Sequence, residues 1–120
     1  MKILLDTNVL AMPAQFKVDI FEQALDLEPD GEFATLNLVV NELKMLKDRQ
    51  AAAVAMKLVE DRKIEIINET GKTDEALLRQ SAKTEAILFT NDKELRKTAN
   101  ERGISTMFMR QKKIVVMEEA

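Results

Sequence analysis

Two stretches decide the fold: Lys2-Ile3-Leu4-Leu5-Asp6 near the start, and Ile87-Leu88-Phe89-Thr90-Asn91-Asp92 late in the chain. Each is a short apolar run that leads to a carboxylate. Runs of this length without polar alternation read as strands buried on both faces, and such strands belong to parallel sheets. Working outward, further strands are expected over 33–36, 64–67 and 105–109, with a short edge piece over 114–117. Helical patterns lie between them. Pro13 opens one that carries Phe16, Ile20, Phe21 and Leu25 on one side. Others are expected over 37–47, over the Ala-rich 49–62, and from a cap at Thr73 to about 83. A last helix starts at Asn91, with Glu94 three residues on in the reciprocal capping pattern, and ends near Gly103. Strands separated by helices need crossover connections, which place helices on both faces of a parallel sheet. The expected fold is α/β: a three-layer α/β/α sandwich around a central parallel sheet of about five strands.

A chain of 120 residues has the length of one domain, taken here as 1–120. Its composition excludes much chemistry, because it has no His, Cys, Trp or Tyr. Histidine relays, thiolate nucleophiles, zinc ribbons and iron–sulfur clusters are all ruled out. What remains is 21 acidic and 18 basic side chains with hydroxyls and amides, so catalysis would fall to carboxylates holding a hard cation such as Mg²⁺ or Mn²⁺. The balance of 46% apolar and 32% charged residues is that of a soluble protein, and no apolar run approaches a bilayer span. The N-terminus reaches Asp6 too soon for a signal peptide, so a cytoplasmic protein without membrane contact is expected. The net charge of -3 hides an asymmetry: residues 19–32 carry six acids and no base, and residues 93–113 carry seven bases and two acids.

Four acids sit where solvation does not explain them. Asp6 ends the first strand and Asp92 follows the fourth. In open parallel sheets ligands bind outside the carboxyl ends of strands where strand order reverses. An order of 3-2-1-4-5 would bring these two carboxylates together. Glu42 has Leu38, Val39, Met45 and Leu46 as helical neighbours and so interrupts an apolar face. Asp74 has Leu77 and Leu78 three and four residues on. An acid on a buried face must be paired, protonated or bound to a cation. The plainer alternatives are first-turn acids at Asp74 and Asp92, favoured by the helix dipole, a strand end at Asp6, and an edge hydrogen bond at Glu42.

Leu5-Asp6-Thr7-Asn8-Val9-Leu10, Val40-Asn41-Glu42-Leu43, Asp74-Glu75-Ala76-Leu77-Leu78 and Thr90-Asn91-Asp92, in this order, resemble the blocks of the PIN-domain family of metal-dependent nucleases. Met12-Pro13-Ala14-Gln15-Phe16, Val18-Asp19-Ile20-Phe21 and Met107-Phe108-Met109-Arg110 resemble the archaeal branch related to the nuclease that processes small-subunit ribosomal RNA. The resemblance implies a sheet of order 3-2-1-4-5 and a Mg²⁺ or Mn²⁺ site built by Asp6, Glu42, Asp74 and Asp92. Thr90 and Asn8 would be its orienting hydroxyl and amide. Glu75 competes with Asp74, although Asp74 keeps the family's 18-residue step to Asp92. The implied activity is hydrolysis of RNA phosphodiesters by one or two ions, in ribosomal RNA processing, with a homodimer as a possible assembly. A toxin nuclease paired with an antitoxin and a non-catalytic RNA-binding or assembly module are the alternatives. A receiver-like phosphoacceptor domain is discarded, because residues 64–69 supply no Asp after the third strand.

Without Trp or Tyr to stack on bases, recognition is expected to use backbone and shape. Lys93, Arg96, Lys97, Arg110, Lys112 and Lys113 are the expected phosphate contacts. For any one of them a solvated surface position is the competing reading.

Overall fold

The first strand, β1 (Lys2–Leu5), sits at the centre because Ile3, Leu4 and Leu5 are buried on both of its faces. The computed structural model describes residues 1–120, and in it β1 is followed by α1 (Thr7–Phe16), α2 (Ile20–Leu27), β2 (Glu32–Leu36), α3 (Asn37–Lys44) and α4 (Arg49–Asp61). Then come β3 (Glu65–Ile67), α5 (Thr73–Thr84), β4 (Ile87–Phe89), α6 (Lys93–Glu101), β5 (Thr106–Arg110) and β6 (Ile114–Glu118). β1 pairs in parallel with β2, Ile3 opposite Phe33, and with β4, Ile3 opposite Ile87. The sheet order is β3-β2-β1-β4-β5-β6. The chain builds outward through β2 and β3, then returns past β1 to β4. The carboxyl ends of β1 and β4 therefore form the point where strand order reverses. Right-handed crossovers in the two directions put α1 to α4 and α5 to α6 on opposite faces, which is the expected three-layer sandwich. No helix is long and apolar enough to cross a membrane.

The sheet has six strands rather than about five. Residues 114–118 form a full strand, antiparallel to β5 with Thr106 opposite Glu118 and Arg110 opposite Ile114. Its three-residue connection, 111–113, places Gln111 and Lys112 at φ 53° and 59°. Hairpins of this hand normally advertise themselves with Gly or Asn at those positions, and this one does not.

Helix starts also differ from expectation. α1 begins directly after β1, capped by Asp6, and Pro13 lies inside it instead of opening it. A proline there withholds a backbone donor from Val9, and the helix ends within one turn at Lys17, in the left-handed region at φ 51°. Ile20, Phe21 and Leu25 belong to α2, capped by Asp19. Asp92 caps α6 instead of Asn91, so Glu94 is one position too early for a reciprocal cap. Thr73 is the first residue of α5 and not its cap.

Candidate active site

Asp6 leaves β1 with its backbone N–H on Phe89 O (3.0 Å), so the strand end is tied to β4. Thr35 Oγ1, buried in β2, donates to Leu5 O (2.7 Å) from the other side. The Asp6 side chain is only 6% exposed. Its Oδ1 accepts from Thr7 N (2.7 Å) and its Oδ2 from Thr90 Oγ1 (2.7 Å). Burial raises its pKa above the ordinary carboxylate range; the Thr90 and Thr7 bonds oppose this, and the charges of Asp74 and Glu42 add to it. Thr90 is itself fully buried and also accepts from Asp92 N (3.2 Å), so one hydroxyl joins the first acid to the last.

Asp92 is exposed, and its Oδ1 accepts from Glu94 N (3.0 Å) and Leu95 N (3.2 Å). Capping and ligation therefore do not compete, since the second oxygen takes no hydrogen bond. Asp74, in the first turn of α5, makes no side-chain bond. Partial desolvation raises its carboxyl pKa, and Asp92, Glu42 and Glu75 push it up further. Glu75 turns to Arg102 at 3.7 Å. Of the two candidates in this block, only Asp74 is left without a cation.

Glu42 corrects the sequence reading. It does not interrupt a buried face: α3 stops at Lys44, so Met45 and Leu46 lie beyond the helix, and Glu42 is exposed. Two hydroxyls hold it instead. Thr7 Oγ1 donates to Oε1, and Thr73 Oγ1 donates to Oε2 (2.7 Å). Asn8 Oδ1 accepts from Asn91 N (3.2 Å), and Asn91 in turn accepts from Met109 N (2.8 Å). The sequence reading gave Thr7, Thr73 and Asn91 no part in the site. Their one signal is adjacency, because each directly follows or precedes a site residue.

The structure thus brings Asp6, Glu42, Asp74, Asp92, Thr90 and Asn8 to one end of the sheet. None of the four acids forms an ion pair. No group of three or more acidic side chains stands ready to hold a metal ion; the oxygens of Asp6 and Glu42 take hydroxyl and amide hydrogens. The donor set still suits a hard cation. It is all oxygen, with both Asp74 oxygens and one of Asp92 free, and the hydroxyl donors can rotate away.

The basic residues divide. Lys93 and Lys97 lie exposed on α6, and Arg110, Lys112 and Lys113 at the tip of the β5–β6 hairpin. β5 runs parallel to β1, so that tip lies at the carboxylate end of the sheet. Lys112 Nζ rests 4.8 Å from the Phe16 ring centroid. Arg96 is not available in the way expected: its side chain is 14% exposed, its guanidinium lies 3.7 Å over the Phe108 ring, and it bonds Glu118 (2.8 Å). It ties α6 to the hairpin, a contact hidden from the sequence because the expected edge piece, 114–117, stopped short of Glu118.

The PIN like domain family matches residues 3–112. The chain belongs to this family. Ribonuclease VapC9 of Archaeoglobus fulgidus is 32% identical over 96% of this chain and 87% of its own. Ribonuclease VapC4 of Methanocaldococcus jannaschii is 31% identical over 93% of this chain and 92% of its own. Among solved structures, the PIN domain endonuclease Utp24 superposes with a TM-score of 0.81 at 22% identity, covering 99% of this chain and 92% of that one. VapBC2 from Rickettsia felis bound to a promoter DNA fragment gives a TM-score of 0.60 at 18% identity over 81% and 92%. These likenesses give the PIN domain its fold here: six strands, five of them parallel, with helices on both faces.

Proposed function

We propose that this PIN domain is a metal-dependent endoribonuclease acting at the crevice between β1 and β4. The observation that carries the proposal is the convergence there of Asp6, Glu42, Asp74 and Asp92 with no basic side chain paired to any of them. Mg²⁺ or Mn²⁺ held by these four would supply Lewis acidity, lowering the pKa of water and offsetting charge on the phosphodiester. The chain's own residues do the positioning. Thr90 fixes the Asp6 carboxylate against the Asp92 backbone, the two threonines aim Glu42, and Asn8 holds the loop that carries Asp92. Lys93, Lys97, Arg110, Lys112 and Lys113 contact phosphates. Without cation the acids repel the RNA, so binding depends on the cation and on salt.

The setting we favour is ribosomal RNA processing, on the 12–21 and 107–110 stretches. A second reading, the toxin of a toxin–antitoxin pair, is supported by the names of the two ribonuclease relatives. Growth arrest on expression, relieved by a small neighbouring gene, would select the toxin reading. The chemistry is tested by incubating structured and single-stranded RNA with Mn²⁺ and either the native chain or Asp6→Asn. Cleavage is expected to fall about a hundredfold or more in the variant, in line with the loss of an oriented metal ligand. Equal cleavage by both would remove the site, and cleavage by neither would leave a non-catalytic module.

A further inference from the structure

We infer that the corner between α3 and α4 seats an unpaired base of the RNA strand being cleaved, an inference that rests on the ribonuclease reading above. Met45 is 81% exposed, more than any other large hydrophobic side chain. It closes the helix that carries Glu42, its N–H donating to Glu42 O (3.0 Å). The corner is held firmly. Arg49 Nη1 donates to Lys44 O (2.8 Å), and Asp48 Oδ1 accepts from Ala51 N (3.0 Å) to cap α4. Lys44, Lys47 and Arg49 flank the methionine in the chain, and none of them joins an ion pair in a chain with 21 acids.

The sheet order says what such a corner faces. α3 leaves the carboxyl end of β2, on one flank of β1, while β5 and the hairpin tip lie beyond β4 on the other. By this order, a strand laid from Arg110, Lys112 and Lys113 across the four acids heads toward the flank that carries Lys44 and Lys47. Unpaired cations on both flanks of an anionic centre suit a polyanion with a cation beneath it better than a protein partner. Met45 adds what the lysines cannot. Its flexible, polarisable thioether lies flat on a base face or wedges beside one, and methionine is among the apolar side chains that serve as such wedges. It gives a chain without Trp or Tyr a base contact next to the scissile phosphate.

The test is steady-state cleavage, with Mn²⁺, of a labelled unstructured RNA and of the duplex of the same sequence. Met45→Ala is expected to raise KM about three- to tenfold on the single strand with kcat unchanged, and to leave the duplex unaffected, as for binding outside the chemical step. Lys44→Ala/Lys47→Ala is expected to raise KM on both substrates and, on the single strand, to lower the salt slope by about 1.4, roughly 0.7 for each phosphate lost. These side chains are exposed, so the variants keep the native fold. If the native chain cleaves RNA and the variants match it in KM and salt slope, the corner inference is overturned and the ribonuclease reading stands. If the native chain cleaves nothing, that reading fails first and takes the corner with it. If Met45→Glu instead converts a dimer to single chains by light scattering, the corner joins copies of this chain and not RNA.

Discussion

The carboxylates on the two sides of the α5 start, Glu69 before it and Asp74 within it, behave in opposite ways. Glu69, in the loop before α5, accepts from Arg79 Nη2 on one oxygen and from Gln80 Nε2 (2.6 Å) on the other, and its backbone N–H bonds Asn37 Oδ1 (2.8 Å). The Arg79 bond, then the Gln80 bond, lowers its pKa to about 2. At the start of the same helix, Asp74 has no donor or cation, and its pKa moves up, as does that of Asp6. Burial does not separate Glu69 from Asp74, since the Glu69 side chain is only 13% exposed and Asp74 is the more open of the two. What differs is the partner. A carboxylate matched to a guanidinium is complete within the chain, and one that faces other carboxylates has its partner still to come.

The largest expected effect sets a cation against these two groups. Mg²⁺ or Mn²⁺ at a hundredfold excess over its Kd is expected to stabilise the fold by about 2.7 kcal/mol. Asp92→Asn is expected to abolish that gain and keep the metal-free stability, because an amide oxygen accepts the same two backbone donors of α6. Asp92→Ala loses the cap as well and should cost about 1 kcal/mol without metal. Arg79→Met, which leaves Glu69 without its cation, should keep the full metal increment. Thermal melts of the three variants with and without Mn²⁺ check this; a metal gain that survives Asp92→Asn or vanishes in Arg79→Met would erase the distinction.

A smaller effect asks whether hydroxyls do for Glu42 what the guanidinium does for Glu69. Thr7→Val/Thr73→Val removes both donors to the Glu42 carboxylate. Loss of the groups that orient a ligand is expected to weaken Mn²⁺ binding about tenfold or more, measured by calorimetry, and Thr7→Ser/Thr73→Ser should restore it. Unchanged Mn²⁺ affinity in the valine pair would mean that Glu42 needs no aiming.

The frame of this site was legible in the sequence, and its fastenings were not. Ile3 to Leu5 and Ile87 to Phe89 are apolar without interruption because a central parallel strand has no polar face, so the runs and the acids after them marked both the sheet and the crevice. Topology then decided which acids met. Glu42 was singled out for the wrong reason: counting four residues onward assumed a helix that actually ends at Lys44. Its real partners, Thr7 and Thr73, lie 35 and 31 residues away, a separation that periodicity cannot see. Arg96 was misjudged likewise, since the strand bearing Glu118 carries no glycine turn to announce it. Asp92 posed a choice between a helix cap and a place in the site that its two oxygens make unnecessary, because the cap uses Oδ1 alone.

The smallest expected effect is the opposite pH dependence of the two groups in the metal-free protein. Between the ordinary Asp value of 3.8 and their raised native values, Asp6 and Asp74 bind more protons folded than unfolded. Their contribution is therefore present at low pH and is lost as pH rises through that window. Glu69 does the reverse between about 2 and 4.5: the unfolded chain holds more protons there, so its contribution is lost as pH falls. Melting temperatures in chelator from about pH 3 to 7, taken as native minus variant, isolate each limb from the other carboxylates. The Asp6→Asn difference should decline with rising pH, and the Arg79→Met difference should grow. Parallel profiles would mean that both groups are solvated alike, and the contrast between a satisfied carboxylate and an open one would fail.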